Sequence, residues 1–236
     1  SVSFRKAFFN SLFVTSIATI FSILLAYMLA YSLNRTNIKH KEILKILITI
    51  PMLIPSISHG LGLINLFGNN GIVTKYFDFN IIGSLGIIIG SIIYTFPVAF
   101  LMISDGFNYI DNNMYVTARV LNFNWWQTFK KVTIPYMKKP FFSAMFAVFT
   151  MIFTDYGVPL AVGGKYITLP VYLYKEVIGL LNFSTGTIVG LVLLIPAFVS
   201  FIFDTFTKNH VNGNYEGGKY YIKENKLRDR IFTIFT

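Results

Sequence analysis

Four stretches of this chain carry no Asp, Glu, Lys or Arg: Ala7 to Asn34, Ile46 to Thr74, Phe79 to Ser104 and Val177 to Phe203. Each exceeds the ~20 residues that cross the hydrocarbon core of a bilayer. A fifth run, Pro140 to Gly164, is interrupted only by Asp155. Lipid offers the backbone no hydrogen bonds, so apolar segments of this length must pair their N–H and C=O groups within helices. The fold class that follows is an all-α polytopic membrane protein, with spans over roughly 7–33, 46–68, 79–103, 140–162 and 182–206. The first run is too long for a typical signal-peptide core and lacks a small-residue cleavage site, so it reads as a true span. Without a cysteine, neither disulfides nor thiolate metal sites can operate.

Only 13% of the residues are charged, yet the net charge is +10. In a membrane protein such an excess marks loops on the cytoplasmic side rather than a nucleic-acid surface. The first loop holds Arg35, Lys39, Lys41 and Lys45, and the third holds Arg119, Lys130, Lys131, Lys138 and Lys139. The tail adds Lys208, Lys219, Lys223, Lys226, Arg228 and Arg230, whereas loops two and four hold only Lys75, Lys165 and Lys175. Loops one and three and the tail of this multi-pass membrane protein are therefore expected in the cytoplasm. The N-terminus then lies outside, mildly opposed by Arg5 and Lys6.

Residues 1–207 form one expected module. Residues 208–230 are polar, Gly-rich and charged, as a cytoplasmic linker would be, and 231–236 read as the start of a further span. A fragment of a longer protein is expected. Within the linker, Gly213 to Lys219 match the spacing of a phosphate-binding loop, but Tyr220 stands where Ser or Thr must hold Mg²⁺. A preceding strand is missing too, so this chain is not expected to bind ATP itself.

Inside the spans, Pro51, Pro55, Gly60 and Gly62 surround Ser56, Ser58 and His59. Proline kinks a helix by removing a backbone donor. Such a bend fits a translocation path, and it fits ordinary kinking equally. Gly83, Gly86 and Gly90 fit close helix packing. Asp155 is an acid flanked on both sides by apolar sequence, so it either lines a path or marks the outer interface. Ser56, His59 and Asp155 are the candidate path residues. No His–acid pair, His-Glu-x-x-His pattern or nucleophile elbow occurs, so no catalytic or metal residues are assigned.

The third loop, 105–139, has a pattern of its own. Met114, Ala118, Leu121 and Trp125 recur at steps of four, three and four, with Tyr115 adding width, which makes one apolar face of a short helix. Asp111, Asn112 or Asn113 can cap its start. Ala118-Arg119-x-Leu121, followed by Trp126-x-x-Phe129-x-x-Val132-Thr-Ile-Pro135, resembles the cytoplasmic signature of binding-protein-dependent ABC importer permeases. The resemblance extends to Asp155-Tyr-Gly157-Val-Pro159, Gly163-Gly164, Thr168-Leu-Pro170, Ala30-Tyr31 near Arg35, and Phe67-Gly68 to Gly71. Val116, Thr117 and Ala118 occupy the family's Glu-Ala-Ala positions, so the acid is missing. Asn122 stands where the family has Gly, and asparagine tolerates the left-handed conformation better than most residues.

That resemblance implies a five-to-six-span permease module with a cytoplasmic coupling helix, closest to the fused two-module iron, aminoethylphosphonate and thiamine type. Met114, Tyr115, Val116, Thr117, Ala118, Arg119, Leu121, Asn122 and Trp125 are then the residues that couple to an ATP-hydrolysing subunit, with ATP and Mg on that partner. Met114, Ala118, Leu121 and Trp125 would supply buried contact and Arg119 a polar rim. The other implied partners are an extracytoplasmic substrate-binding protein, a second permease module in the same chain or as a dimer, and membrane lipid. The implied substrate is ferric iron or a phosphonate-like solute. The alternatives are an ATP-independent secondary transporter or channel, for which the chain offers essentially one intramembrane acid, and a membrane-embedded enzyme, for which it lacks acids and histidines.

Overall fold

The computed structural model describes residues 2–76, 81–108 and 110–207, together with Thr233. The expected linker 208–230 and, Thr233 apart, the apolar segment 231–236 lie outside the described residues. All regular structure among the described residues is helical.

Helix α1 runs Val2–Arg35, and its buried positions include Ala7, Ser11, Ala18, Ser22, Ala26 and Ala30. Small side chains at these spacings let a second helix approach, and α4 (Ser84–Asn108) lies along them. The hydroxyls of Ser22 and Thr95 share a hydrogen bond of 2.8 Å across this contact. Nearer the end of α1, Asn34 Nδ2 donates to Ser104 Oγ at 2.9 Å. The other face of α1 exposes Phe9, Phe13, Ile20 and Leu24.

The span expected over 46–68, with a bend at its prolines, is broken into separate helices. Helix α2 (Lys41–Thr49) continues into a 3-10 turn over Ile50–Leu53, and α3 (Ser56–Phe67) leaves at 96° to it. Ile54 has φ −93° and ψ 132°, the extended conformation that a following proline imposes, and Pro55 offers no donor to continue the helix. Two prolines four residues apart give a sharp bend rather than a mild kink.

The three glycines of the third span divide by role. A Cβ at Gly90 would lie 2.7 Å from Val158 Cγ1, and one at Gly86 would lie 3.2 Å from Val162 Cβ. Close approach to α8 (Gly157–Val162) requires both. Gly83, at φ +120°, instead makes the turn that enters α4.

After α4 come α5 (Asn112–Val120), α6 (Trp125–Thr128), a π-helical turn over Phe129–Thr133, and α7 (Ile134–Thr154). The segment expected as the fourth span, 140–162, is shared between α7 and α8, which part at Asp155 and Tyr156. Helix α9 (Leu169–Tyr174), a π turn over Lys175–Gly179 and α10 (Phe183–Thr207) follow, with α10 against α7. Among the described residues, α1, α4 and Phe183–Phe203 of α10 are long and apolar enough to cross a membrane, and the bent pair α2–α3 makes a fourth if taken together. Lys138 and Lys139 lie in the first turns of α7, which falls outside that set.

One hydrophobic core joins α1, α4 and α7 through Leu33, Phe100, Ile103, Phe107, Ala144 and Val148. It continues without a gap into the loop between α4 and α7, through Tyr115, Ala118 and Val132. That loop is therefore part of the packed body.

Candidate functional site

The loop from α4 to α7 is built by local capping. Asp111 caps α5, its carboxylate accepting from the Asn113 amide at 2.9 Å. At the other end Asn122 has φ 53°. The Asn122 amide donates to Arg119 O and the Phe123 amide to Ala118 O, both at 2.9 Å. This bonding closes a helix on a left-handed residue, so Asn122 makes the turn expected of it. Asn124 then starts α6 with reciprocal bonds: its side chain accepts from the Gln127 amide at 2.8 Å, and Gln127 Oε1 accepts from the Asn124 amide at 3.0 Å.

Helix α5 has two apolar faces, where the sequence pattern suggested one. Tyr115 and Ala118 turn inward, with 6% and 2% of their surface exposed, and join the core. Met114, Val116, Val120, Leu121, Trp125 and Trp126 point away from the core and are exposed. Ala118 is thus separated from Met114, Leu121 and Trp125, with which the periodicity had grouped it, because two positions three apart suffice to seat so short a helix. Thr117 and Arg119 lie on the exposed side, as does Asn122. The ring planes of Trp125 and Phe129 stack at 5.6 Å, which stiffens the exposed face.

Arg35, 5% exposed, fastens this loop from below. Its guanidinium lies over the rings of Tyr115 at 4.7 Å and Phe107 at 5.3 Å, and Nη2 donates to Phe107 O at 3.1 Å. The Tyr115 hydroxyl shares a 3.0 Å hydrogen bond with Thr133, and Trp125 Nε1 donates to the Tyr31 hydroxyl at 3.2 Å. The ends of α1 and α4 and the starts of α5 and α6 are thereby one unit. The sequence had singled out Arg35 as a loop charge and, beside Ala30-Tyr31, as part of the resemblance, but not as the residue that seats Tyr115.

The candidate path residues come together from distant parts of the chain. Asp155 accepts from the amides of Gly157 at 3.2 Å and Val158 at 3.0 Å, starting α8, and is hydrogen-bonded by the Ser56 side chain at the start of α3. Both helix breaks meet here, around an open cavity of about 480 Å³ lined by Ser56, Tyr94, Thr154, Asp155 and Tyr156 among others. His59 lies one turn along α3 with its Nδ1 3.3 Å from Pro55 O and its ring 5.8 Å from that of Tyr94. Tyr94 was hidden in an apolar run and had given no signal. Gly157 and Gly60 hold α3 and α8 together: a Cβ on Gly60 would lie 2.6 Å from Ala161 Cβ, and one on Gly157 would strike Ser56 and Ile57.

At the end of α1 far from the loop, Lys6, Asn10, Ser84, Lys165 and Tyr166 surround a recess of about 660 Å³. Asn10 Nδ2 donates to Ile167 O at 2.9 Å, and Gly164 at φ +56° shapes the turn beside it. Among the described residues its lining includes two lysines and no acid.

Residues 18–211 match the model of the family described as binding-protein-dependent transport system inner membrane component. Among curated relatives, the ferric transport system permease protein FbpB of Actinobacillus pleuropneumoniae is 28% identical over 204 residues, covering 82% of this chain and 29% of the relative. A spermidine/putrescine permease PotC homolog of Mycoplasma genitalium is 27% identical, covering 73% of this chain and 59% of the relative. The molybdenum permease ModB of Azotobacter vinelandii is 24% identical, covering 64% and 70%. The chain spans less than a third of the length of the FbpB proteins it matches. Among solved structures, a bacterial alginate ABC transporter in complex with a pentasaccharide-bound periplasmic protein aligns at a TM-score of 0.66 and 14% identity, covering 87% of this chain and 77% of that one. An amino acid ABC transporter aligns at 0.63 and 16% identity, covering 87% and 92%.

Proposed function

The chain belongs to the family of binding-protein-dependent transport system inner membrane components, and from that premise we propose that it forms the translocation path of an ATP-driven importer and is driven by a separate ATP-hydrolysing subunit docked on its 105–139 loop. The observation that carries this reading is the exposed face of Met114, Val116, Val120, Leu121 and Trp125, held on a loop that shares the core of the helices. An apolar face on a short helix suits insertion into a groove of a partner. Because Arg35 and Tyr31 join this loop to the helices, a pull on the face moves α1 and α4 with it as a body.

In this reading the loop lies in the cytoplasm and the Lys6–Lys165 recess lies outside, where an acidic side chain of the substrate-binding protein would complement its charge. The cavity at Ser56 and Asp155 lies where two helices break, as irregular backbone at membrane depth does when it lines a water-filled space. The substrate is ferric iron or a phosphonate-like small solute. The two FbpB relatives, each aligned over 82% of this chain, favour iron. A second module, in the same chain or as a dimer, completes the path.

The test is co-purification of the full-length protein with the ATPase encoded beside it, with and without Leu121→Asp. Retention by the parent and loss in the variant is expected. A folded parent that never retains an ATPase would overturn the reading in favour of a secondary transporter.

A further inference from the structure

A groove of about 310 Å³ opens on the outside of the helical body, beside the loop. Its walls are Leu24 and Tyr27 of α1, Phe129 of the π turn, and Ile134, Phe141 and Phe142 of α7. Leu24 and Phe142 are exposed, and Leu24 belongs to a helix long and apolar enough to span the membrane. Met137 and a single charged side chain, Lys138, complete the lining. Among the described residues no carboxylate lies within ion-pair distance of it. From 112 to 154 the sequence has no Asp or Glu and four lysines, Lys130, Lys131, Lys138 and Lys139, of which Lys138 lines the groove.

The ligand that fits is amphipathic: hydrocarbon along the aromatic and aliphatic walls, with an anion at Lys138. A lysine at the edge of a span reaches its ammonium to the headgroup level, and basic pockets between membrane helices on the cytoplasmic side take anionic headgroups. We propose that this groove binds an anionic phospholipid of the leaflet on the loop's side. The site depends on the membrane reading of the helices and is independent of the importer function. It also has a consequence for the loop. Phe129, one of its walls, stacks on both Trp125 and Trp126, so a bound acyl chain braces the exposed apolar face from behind.

The experiment is native mass spectrometry of the full-length protein released from nanodiscs of phosphatidylcholine with an equal share of phosphatidylglycerol. The parent should retain phosphatidylglycerol about tenfold over phosphatidylcholine, which corresponds to about 1.4 kcal/mol. Lys138→Glu should bring that ratio to parity or below. Lys130→Glu makes the same charge change outside the groove and should leave it unaltered. Leu24→Trp, which fills the groove, should lower retention of both lipids. Lys138→Gln replaces the reversal if that variant fails to fold. Equal retention of the two lipids by the parent would overturn the proposal and leave a second module as the groove's occupant. An unchanged ratio in a folded Lys138 variant would also overturn it.

Discussion

The guanidinium of Arg35 stands 4.7 Å from the centre of the Tyr115 ring, and so the last residue of the first helix holds the helix of a loop far along the chain. Desolvated cation–aromatic contacts contribute about 2 kcal/mol each, and Arg35 makes two of them plus a hydrogen bond to the Phe107 carbonyl. Arg35→Ala is therefore expected to free the loop. Limited trypsin digestion should cleave faster at Lys130 and Lys131, and uptake should fall. Arg35→Lys should not restore it, because a compact ammonium cannot lie flat between two rings. Parent-like cleavage and uptake in Arg35→Lys would show that charge alone suffices.

Asn122 at φ 53° offers a sharper test of the loop's construction. Glycine reaches this conformation without strain, while a β-branched side chain costs roughly 1–2 kcal/mol there. Asn122→Gly should match the parent in thermal stability and in retention of the ATPase. Asn122→Val should lower both. Equal melting temperatures for the two variants would mean that the turn does not limit the loop.

The class of the molecule was legible in its apolar runs, since few other structures can satisfy charge-free segments of that length. The left-handed turn at Asn122 and the cap at Asp111 were legible because they are local chemistry. What the sequence hid was direction. The period of α5 marks apolar positions, but not that Ala118 faces the core while Leu121 faces away, because a nine-residue helix seated on two residues leaves apolar side chains on both sides. The break at 54–55 was signalled by two prolines, yet its 96° angle depends on the packing of α3 against α8 through Gly60 and Gly157. Convergence of Ser56 with Asp155 is a tertiary fact with no counterpart in local pattern.

Asp155 ties the two helix breaks together, and its substitution separates geometry from charge. Asp155→Asn keeps the shape but replaces one accepting oxygen with a donor facing backbone amides that themselves donate. Losing one such bond costs about 1–3 kcal/mol. Substrate uptake should fall while the ATPase still co-purifies, since the loop lies elsewhere. Unchanged uptake kinetics would return Asp155 to a structural role at the interface.

Two neighbouring substitutions to the same residue distinguish docking from folding. Leu121 exposes 58% of its surface and Ala118 only 2%. A carboxylate at 121 stays in water in the free protein and is buried only when a partner covers the face, so Leu121→Asp should leave thermal stability near the parent and abolish ATPase retention. A carboxylate at 118 enters the core shared by Tyr115 and Val132, where burying an uncompensated charge is costly in the free protein itself. Ala118→Asp should therefore lower the melting temperature before any partner is added, and lose the ATPase as a consequence. The comparison needs only thermal unfolding and pull-down on the same samples. If Leu121→Asp unfolds as readily as Ala118→Asp, the exposed face belongs to the fold, and the docking surface must be sought elsewhere on the loop.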